Sequence, residues 1–370
     1  MAEVESNLPA AAEEKRAPFP CPAGIKASWE KRVAEGASEE KRLPFPSSAE
    51  VKAAWEKRVA EGASEEEDDD LRFACQASCF RDDWNKLYSR YFGRFEDTTK
   101  IPNMRFTYKK SKPHHLYPVP TGTLQIFSVK VARIRGDLQW PLHVFGMAAV
   151  RDVADHNRNI IFDRPRESCQ ILTREAPYLK LTGPTRAVGV CDPVTFEVDL
   201  KVKGSTESED KCLSFLAVTY IDFTALHSHH VRMDYPSKLS TLQFELGSIV
   251  NSVEATISVR VRKGLWPDGL RAQFAARTAS IGEAQVVLLD SGDDTVHISR
   301  GGSISLSRCV ASVEISGNLE VIVEAGRGEE TAIGKRFFKP KKDNVSHGII
   351  GLGFCTLDIT VAWSLVSPFM

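Results

Sequence analysis

The feature that most constrains the fold of this chain is an alternation of apolar and polar residues, which recurs through the sequence after residue 122. It is clearest in three segments, residues 196–203, 253–262 and 357–365. Successive side chains of a β-strand point to opposite faces, so a period of two predicts strands with one apolar and one polar face. Such strands are typical of antiparallel sheets, whereas strands of parallel sheets are continuous apolar runs. The pattern predicts an all-β body made of antiparallel β-sandwiches.

Turn signals rich in glycine separate these strands, and one longer polar segment, Leu226–Lys238, divides the body. We predict a first β-sandwich half over residues 122–226 and a second over residues 227–366, each about the size of one sandwich domain. One large sandwich over the same residues is the alternative that the pattern leaves open.

The first 70 residues differ in charge from the rest of the chain. They contain 17 acidic and 10 basic side chains, whereas the whole chain contains 49 acidic and 48 basic side chains and has a net charge of -1. The near-neutral total therefore combines an acidic arm, residues 1–70, with a mildly basic body. A nucleic-acid-binding domain is usually strongly basic, so we expect no nucleic-acid partner.

The acidic arm contains a tandem repeat of 26 residues. Its copies, residues 15–40 and 41–66, agree at 20 of 26 positions. Each copy predicts a short helix with an apolar stripe at positions i, i+4 and i+8. One interpretation is a largely disordered arm, because isolated helices of about 12 residues are marginal in water. The other is a bivalent segment that docks an unidentified protein partner through its apolar stripes. The docking residues would be Ile25, Trp29, Val33, Val51, Trp55 and Val59.

Residues 71–121 connect the arm to the body. Aromatic residues from Phe80 to Phe95 recur at helical spacing, and four prolines lie within residues 100–121. We predict an amphipathic helix that packs on the body, followed by a proline-rich tether.

The sequence lacks the common catalytic signatures: a phosphate-binding GxxxxGK[ST] loop, a GxSxG nucleophile motif and an HExxH zinc motif. We therefore predict no catalytic residues, no cofactor and no metal ligands. A carboxylate–histidine pair that acts as a general base could be formed by His156 with Asp152 or Asp155. The polar segment that contains these residues favours a surface turn instead. The three histidines of the 226–238 segment, and the aspartates near residue 290, are each interpreted as parts of exposed loops.

The cellular compartment is predicted from the N-terminus and the cysteines. The first residues are acidic where a secretion signal would be basic and then apolar, and no apolar run of 18 residues occurs. The eight cysteines are spread along the chain rather than forming a disulfide framework. We expect a cytoplasmic or nuclear protein that is not secreted and has no transmembrane segment. The oligomeric state is not predicted.

The body contains five long motifs, which are LQIFSVKVARIRGDLQWPL (124–142), HNRNIIF (156–162), YLKLTGPTRAV (178–188), SVEATISVRV (252–261) and CTLDITVAWSL (355–365). These motifs resemble a plant domain-of-unknown-function family expanded in cereal grasses, and the resemblance covers most of residues 80–366. The family implies no established activity. Some of its members are related to ribosome-inactivating rRNA N-glycosylases, which use a Glu-x-x-Arg pair. In this chain the residue three positions before Arg277 is Phe274, so that activity is not transferred.

Taken with the missing catalytic motifs, the β-rich body and its repeat arm predict a non-catalytic interaction or regulatory protein. Two alternatives stay open: an enzyme or accessory protein related to rRNA N-glycosylases, and a β-sandwich that binds lipid or carbohydrate.

Overall fold

The structure is a computed structural model, and it describes residues 75–108, 118–190, 193–222, 225–237, 239–292, 295–327 and 330–366. The two repeats and the six residues predicted to dock a partner lie outside the described residues.

Helix α1 precedes the strands and packs on them through aromatic side chains. It consists of α-helical residues 75–83, a π-helical segment Trp84–Tyr88 and a final α-helical turn Ser89–Phe92. Trp84 is only 2% exposed. The Arg151 guanidinium lies 4.5 Å from the centroid of the Trp84 ring and 4.5 Å from that of Phe95. The helix is thus held by cation–π contacts to a strand residue of the body.

The described part of the body contains 17 strands, which are joined by loops and three short 3-10 helices, and its regular structure is mostly antiparallel sheet. This confirms the predicted all-β sandwich class. The strands are β1 Thr121–Ile134, β2 Leu142–Arg151, β3 Asn159–Arg164, β4 Gln170–Leu172, β5 Val188–Gly189, β6 Val194–Val202, β7 Lys211–Tyr220, β8 His229–Ser237, β9 Ser240–Gly264, β10 Arg271–Thr278, β11 Val286–Asp290, β12 Ser303–Ile304, β13 Val310–Glu314, β14 Leu319–Arg327, β15 Glu330–Phe338, β16 Val345–Gly351 and β17 Cys355–Ser364. The 3-10 helices are Arg166–Ser168, Glu207–Glu209 and Ala279–Ile281.

The first sandwich packs the sheet β3-β2-β6-β7, with β4 beside β2, against β5, β1, β8 and the first half of β9. Its core includes Phe196 and Leu200 from β6 and Phe244 and Leu246 from β9, all fully buried. The rings of Phe196 and Phe244 lie 5.1 Å apart between centroids. The β6 side chains that point into this core are the apolar residues of the alternating sequence pattern.

The second sandwich packs the sheet β11-β10-β14-β15 against β12, β13, β16, β17 and the second half of β9. Phe274, Val321, Ile257 and Trp363 are fully or almost fully buried in its core. The Trp363 indole N–H donates to the Ser346 hydroxyl at 2.9 Å, so the one polar atom of this large buried ring is satisfied.

Strand β9 is shared by the two sandwiches. It is 25 residues long. Phe244 and Leu246 belong to the first core, whereas Ile249, Val253 and Ile257 belong to the second. One continuous strand therefore contributes side chains to both hydrophobic cores.

The segment predicted to be an inter-half loop, Leu226–Lys238, is mostly strand, and that prediction is wrong. Residues His229–Ser237 form β8, which pairs antiparallel with β9. The reason is an alternation within the segment, in which Tyr235 is buried in the first core while Arg232 faces outward to Glu245. The first core accordingly continues beyond the predicted division at residues 226/227 as far as Leu246.

The residues before β1 are tied to both sandwiches in the part that the structure describes. The Met104 N–H donates to a carboxylate oxygen of Glu254 at 2.8 Å, and the Ala187 N–H donates to the other at 2.7 Å. The Phe106 N–H donates to the Ser364 hydroxyl at 3.0 Å. Burial raises the pKa of Glu254, which these two N–H groups partly counteract. Glu254 thus joins this segment to β9 and to the loop before β5.

Candidate functional site

A β-bulge in β1 creates the structural basis of the candidate site. The register of pairing with β9 shifts between Ile126 and Ser128. Leu124 and Ile126 before the bulge and Val129 after it face the first core, whereas Phe127 packs in the second. The extra residue of a bulge interrupts the ladder of main-chain hydrogen bonds. Main-chain oxygens near Phe127 are therefore available to a side chain.

Arg308 binds the main chain at this bulge. Its Nη2 donates to the Ile126 carbonyl at 2.6 Å and its Nη1 donates to the Phe127 carbonyl at 3.3 Å. The residue is 4% exposed, and its Nε has no hydrogen-bond partner among the described residues. Burial lowers the pKa of Arg308 to about 10, so the guanidinium stays protonated at neutral pH.

A cleft of about 890 Å³ opens between the two sandwiches, with Arg308 in its lining. One side comes from β1, from residues 178–181 and from β8 and β9 of the first sandwich. The other side comes from residues 284–292 and 307–308. The cleft is therefore assembled from segments that are far apart in the sequence.

The aromatic part of the lining is formed by Phe127, Tyr178 and His230. The rings of Phe127 and His230 stack with 6.1 Å between centroids and 28° between planes. Gly247 allows the Phe127 ring to lie there, because a Cβ atom at Gly247 would come within 2.9 Å of it. Lys130 Nζ lies 5.7 Å from the centroid of the Tyr178 ring. The cleft thus has flat apolar surfaces beside its charged groups.

Glu245 lies at the rim between two basic side chains. Its carboxylate oxygens are 2.8 Å from His230 Nε2 and 2.7 Å from Arg232 Nε. The hydrogen bond to Glu245 and the charge of that residue raise the pKa of Arg232. The charge of Glu245 is therefore already matched at the rim.

The lining as a whole has three lysine or arginine side chains against two carboxylates. Asp290, the second carboxylate, accepts a hydrogen bond from the Gly292 N–H at 2.9 Å. Among the residues that the structure describes, no serine or cysteine hydrogen-bonds to His230. The arrangement offers cationic, aromatic and aliphatic contacts to a ligand.

Residues 123–361 match the family described as Domain of unknown function (DUF6598). The chain belongs to the DUF6598 family. The matched region includes nearly all of both sandwiches and every segment that lines the cleft, so the cleft is a feature of the DUF6598 domain itself. The predicted membership of a domain-of-unknown-function family is confirmed.

No curated protein matches the chain. Among solved structures, human GIVD cytosolic phospholipase A2 is similar at 8% identity and a TM-score of 0.22, over 68% of this chain and 33% of that chain. The match thus spans about a third of the phospholipase. A structure of the C2A and C2B domains of Extended-Synaptotagmin 2 is similar at 10% identity and a TM-score of 0.23, over 72% of this chain and 99% of that chain. Likenesses of this size carry no argument about function.

The residues of the DUF6598 body that the sequence analysis considered for catalysis lie in different environments. Asp152 and Asp155 were predicted to lie in a surface turn, but both are buried. The reason is Arg186, whose guanidinium binds both carboxylates. Arg277 lies on β10 and forms ion pairs with Glu320 and Glu283.

The histidines of the 226–238 segment also lie in different environments. His230 lines the cleft, while His229 Nε2 lies 3.5 Å from a carboxylate oxygen of Asp222. Within the described ranges, no group of three or more His, Cys, Asp or Glu side chains is placed to hold a metal ion. In the same ranges, no helix has the length and apolar character needed to cross a membrane.

Sequence reasoning missed Arg308, which stands in a stretch with no motif. The bulge, by contrast, leaves a signal. In the segment LQIFSVKV the apolar positions change from even numbers, Leu124 and Ile126, to odd numbers, Val129 and Val131. Such a change of parity within one strand indicates an inserted residue.

Proposed function

We propose that the DUF6598 body is a non-catalytic binding module that holds a small organic molecule in the cleft between its two sandwiches. The observation that carries this proposal is the cleft itself, with a volume of about 890 Å³ and a lining of aromatic, aliphatic and a few charged side chains. Ligand sites commonly have volumes of about 300–1,000 Å³, lie at domain interfaces and combine apolar walls with few polar groups.

The composition of the walls supports binding in a defined orientation. Phe127, Leu179 and Val287 provide apolar contact, whereas Lys180 and Arg308 provide charge. Phe127 and Arg308 are both buried, so they are held in place before a ligand arrives. A site that is formed in advance loses less conformational entropy on binding.

A neutral fluorescent probe, N-phenyl-1-naphthylamine, tests whether the cleft takes a ligand. We expect saturable binding of one probe per full-length chain, and at least about tenfold weaker binding to Val287→Trp, whose indole would occupy the cleft. Ile333→Trp is the matched control, because Ile333 is an exposed aliphatic residue on β15 outside the lining. Absence of saturable binding, or equal binding to both variants, would contradict the proposal.

We also propose that the two N-terminal repeats dock a protein partner in the cytoplasm or nucleus. Support comes from the sequence alone: the two copies share 20 of 26 positions, and each repeats the apolar stripe that contains Trp29 or Trp55. Two linked copies raise the apparent affinity through effective concentration.

Affinity purification with full-length wild-type chain and with the double variant W29A/W55A tests this docking. A defined set of proteins should be lost from the double variant and retained by Lys31→Ala/Lys57→Ala, which changes polar positions of the same repeats. The same set recovered with all three chains would rule out docking through the stripes.

A further inference from the structure

We infer that the ligand of the cleft is a water-soluble organic anion and that Arg308 binds its acidic group. This inference rests on the proposed function, since it assigns the chemical class of the molecule that the cleft would hold. It follows from the charge state, the unused donors and the neighbours of Arg308.

The first step concerns charge. Arg308 is 4% exposed and remains protonated at neutral pH, because its pKa falls only to about 10. Among the described residues no carboxylate forms an ion pair with it, and its two hydrogen-bond acceptors are neutral main-chain carbonyls. Buried charges in proteins are ordinarily paired, because removing an ion from water is costly. An anion in the cleft would supply the missing partner charge.

The second step concerns hydrogen bonding. A guanidinium carries five N–H donors in one plane. Two of the three nitrogens of Arg308 bind the bulge carbonyls of Ile126 and Phe127, and its Nε–H has no partner in the described part of the chain. The bulge carbonyls therefore fix the plane of the Arg308 guanidinium and leave some of its N–H donors unused. Carboxylate, sulfonate and phosphate oxygens match such a donor set.

The third step concerns the other charges of the lining. Glu245 is shared between His230 and Arg232 at the rim and is not paired with Arg308. Asp290 is exposed and accepts a hydrogen bond from the Gly292 N–H. Neither carboxylate compensates Arg308, so the buried charge of its guanidinium lacks a counterpart in the lining.

The fourth step concerns the body of the ligand. The stacked rings of Phe127 and His230 offer a flat face, and Leu179 and Val287 offer aliphatic contact. Such walls suit an aromatic or aliphatic group attached to the acidic one. The volume limits the ligand to a small molecule.

Two probes with the same aromatic body test the inference. 8-Anilinonaphthalene-1-sulfonate carries a sulfonate that N-phenyl-1-naphthylamine lacks. We expect the full-length protein to bind the sulfonate at least about tenfold more tightly than the neutral probe, as a charge-assisted hydrogen bond should provide. Arg308→Gln should remove this preference and leave the affinity for the neutral probe within about twofold of wild type.

Two further variants serve as controls. Arg262→Gln removes an exposed arginine of β9 that is paired with Asp358 outside the cleft lining, and we expect it to preserve the preference for the sulfonate. Arg308→Lys keeps the charge but not the planar donor set, and we expect an intermediate preference. If the circular dichroism spectrum of Arg308→Gln differs from that of wild type, Arg308→Lys is the variant whose preference tests the inference.

Each outcome has a defined meaning. Equal wild-type affinity for the two probes, or a preference that Arg308→Gln and Arg308→Lys leave unchanged, would overturn the anion inference while binding in the cleft still stood. If neither probe bound in a saturable manner that Val287→Trp weakens, the proposed function would fail as well.

Discussion

Arg186 and Asp152 form a two-point ion pair inside the first sandwich, with the Nη1–Oδ2 and Nη2–Oδ1 distances both 2.7 Å. Asp155 accepts a further bond from Nη2 at 3.1 Å, and the Gly189 N–H donates to Asp152 at 2.8 Å. Burial alone would lower the pKa of Arg186, but the two carboxylates outweigh burial and raise it above its ordinary value. The group joins the turn after β2 to the loop that leads into β5.

Removal of this arginine should be strongly destabilising. Arg186→Gln leaves two buried carboxylates without a counter-charge, and we expect the free energy of unfolding to fall by about 3–5 kcal/mol. Arg262→Gln is the matched control, because Arg262 and Asp358 form an ion pair whose side chains are both largely exposed. Its cost should be at most about 1 kcal/mol. Urea unfolding of both variants measures the difference, and similar small costs for the two would contradict the structural role of Arg186.

A second prediction concerns the pH dependence of stability. Burial raises the pKa of Asp199 on β6, and Oδ1 of its carboxylate has no hydrogen-bond partner within the described residues. At pH values between the ordinary pKa and the raised one, the folded state binds more protons at Asp199 than the unfolded state does. The free energy of unfolding therefore falls as pH rises through this range. Asp199→Asn should therefore gain stability relative to wild type as pH increases from about 4 to 7.

An exposed aspartate gives the control of opposite sign. The hydrogen bond and charge of Lys211 lower the pKa of Asp137, so its contribution is present at neutral pH and is lost as pH falls. Asp137→Asn should accordingly show no gain on raising the pH. Urea unfolding at several pH values distinguishes the two trends, and a flat difference between Asp199→Asn and wild type would refute the assigned role of Asp199.

A third prediction concerns the close approach of β2 and β6. Gly146 has a φ of 108°, and a Cβ atom there would lie 2.2 Å from the Asp199 carbonyl oxygen. Gly282 also has a positive φ, of 69°, but in the described part of the structure nothing lies within 4 Å of a Cβ atom built there. We expect Gly146→Ala to cost about 3 kcal/mol or more and Gly282→Ala about 1 kcal/mol. Equal melting temperatures for the two variants would show that contact with β6 is unimportant.

Much of the fold could be predicted from the sequence because sheet burial imposes a local period. The alternating segments that contain Phe196, Ile257 and Ile359 lie on β6, β9 and β17 and bury the apolar side. The same rule was available for β8, where Tyr235 is buried and Arg232 is exposed, but three nearby histidines and a proline made the segment resemble a loop.

The buried charges could not be predicted, because their partners lie far apart in the chain. Asp152 precedes Arg186 by 34 residues, and its polar neighbours suggested a surface turn. Arg308 contacts carbonyls more than 180 residues away, at a bulge whose only sequence signal is a change of parity. A cleft assembled from such distant segments has no local pattern, so it becomes visible only in the folded structure.

The most direct test of the account is a crystal structure of the full-length protein with bound 8-anilinonaphthalene-1-sulfonate. We predict that the naphthalene lies in the cleft beside Phe127 and that a sulfonate oxygen lies within about 3 Å of a guanidinium nitrogen of Arg308. A probe that binds elsewhere on the protein, or one that lies in the cleft with its sulfonate directed away from Arg308 into solvent, would contradict it.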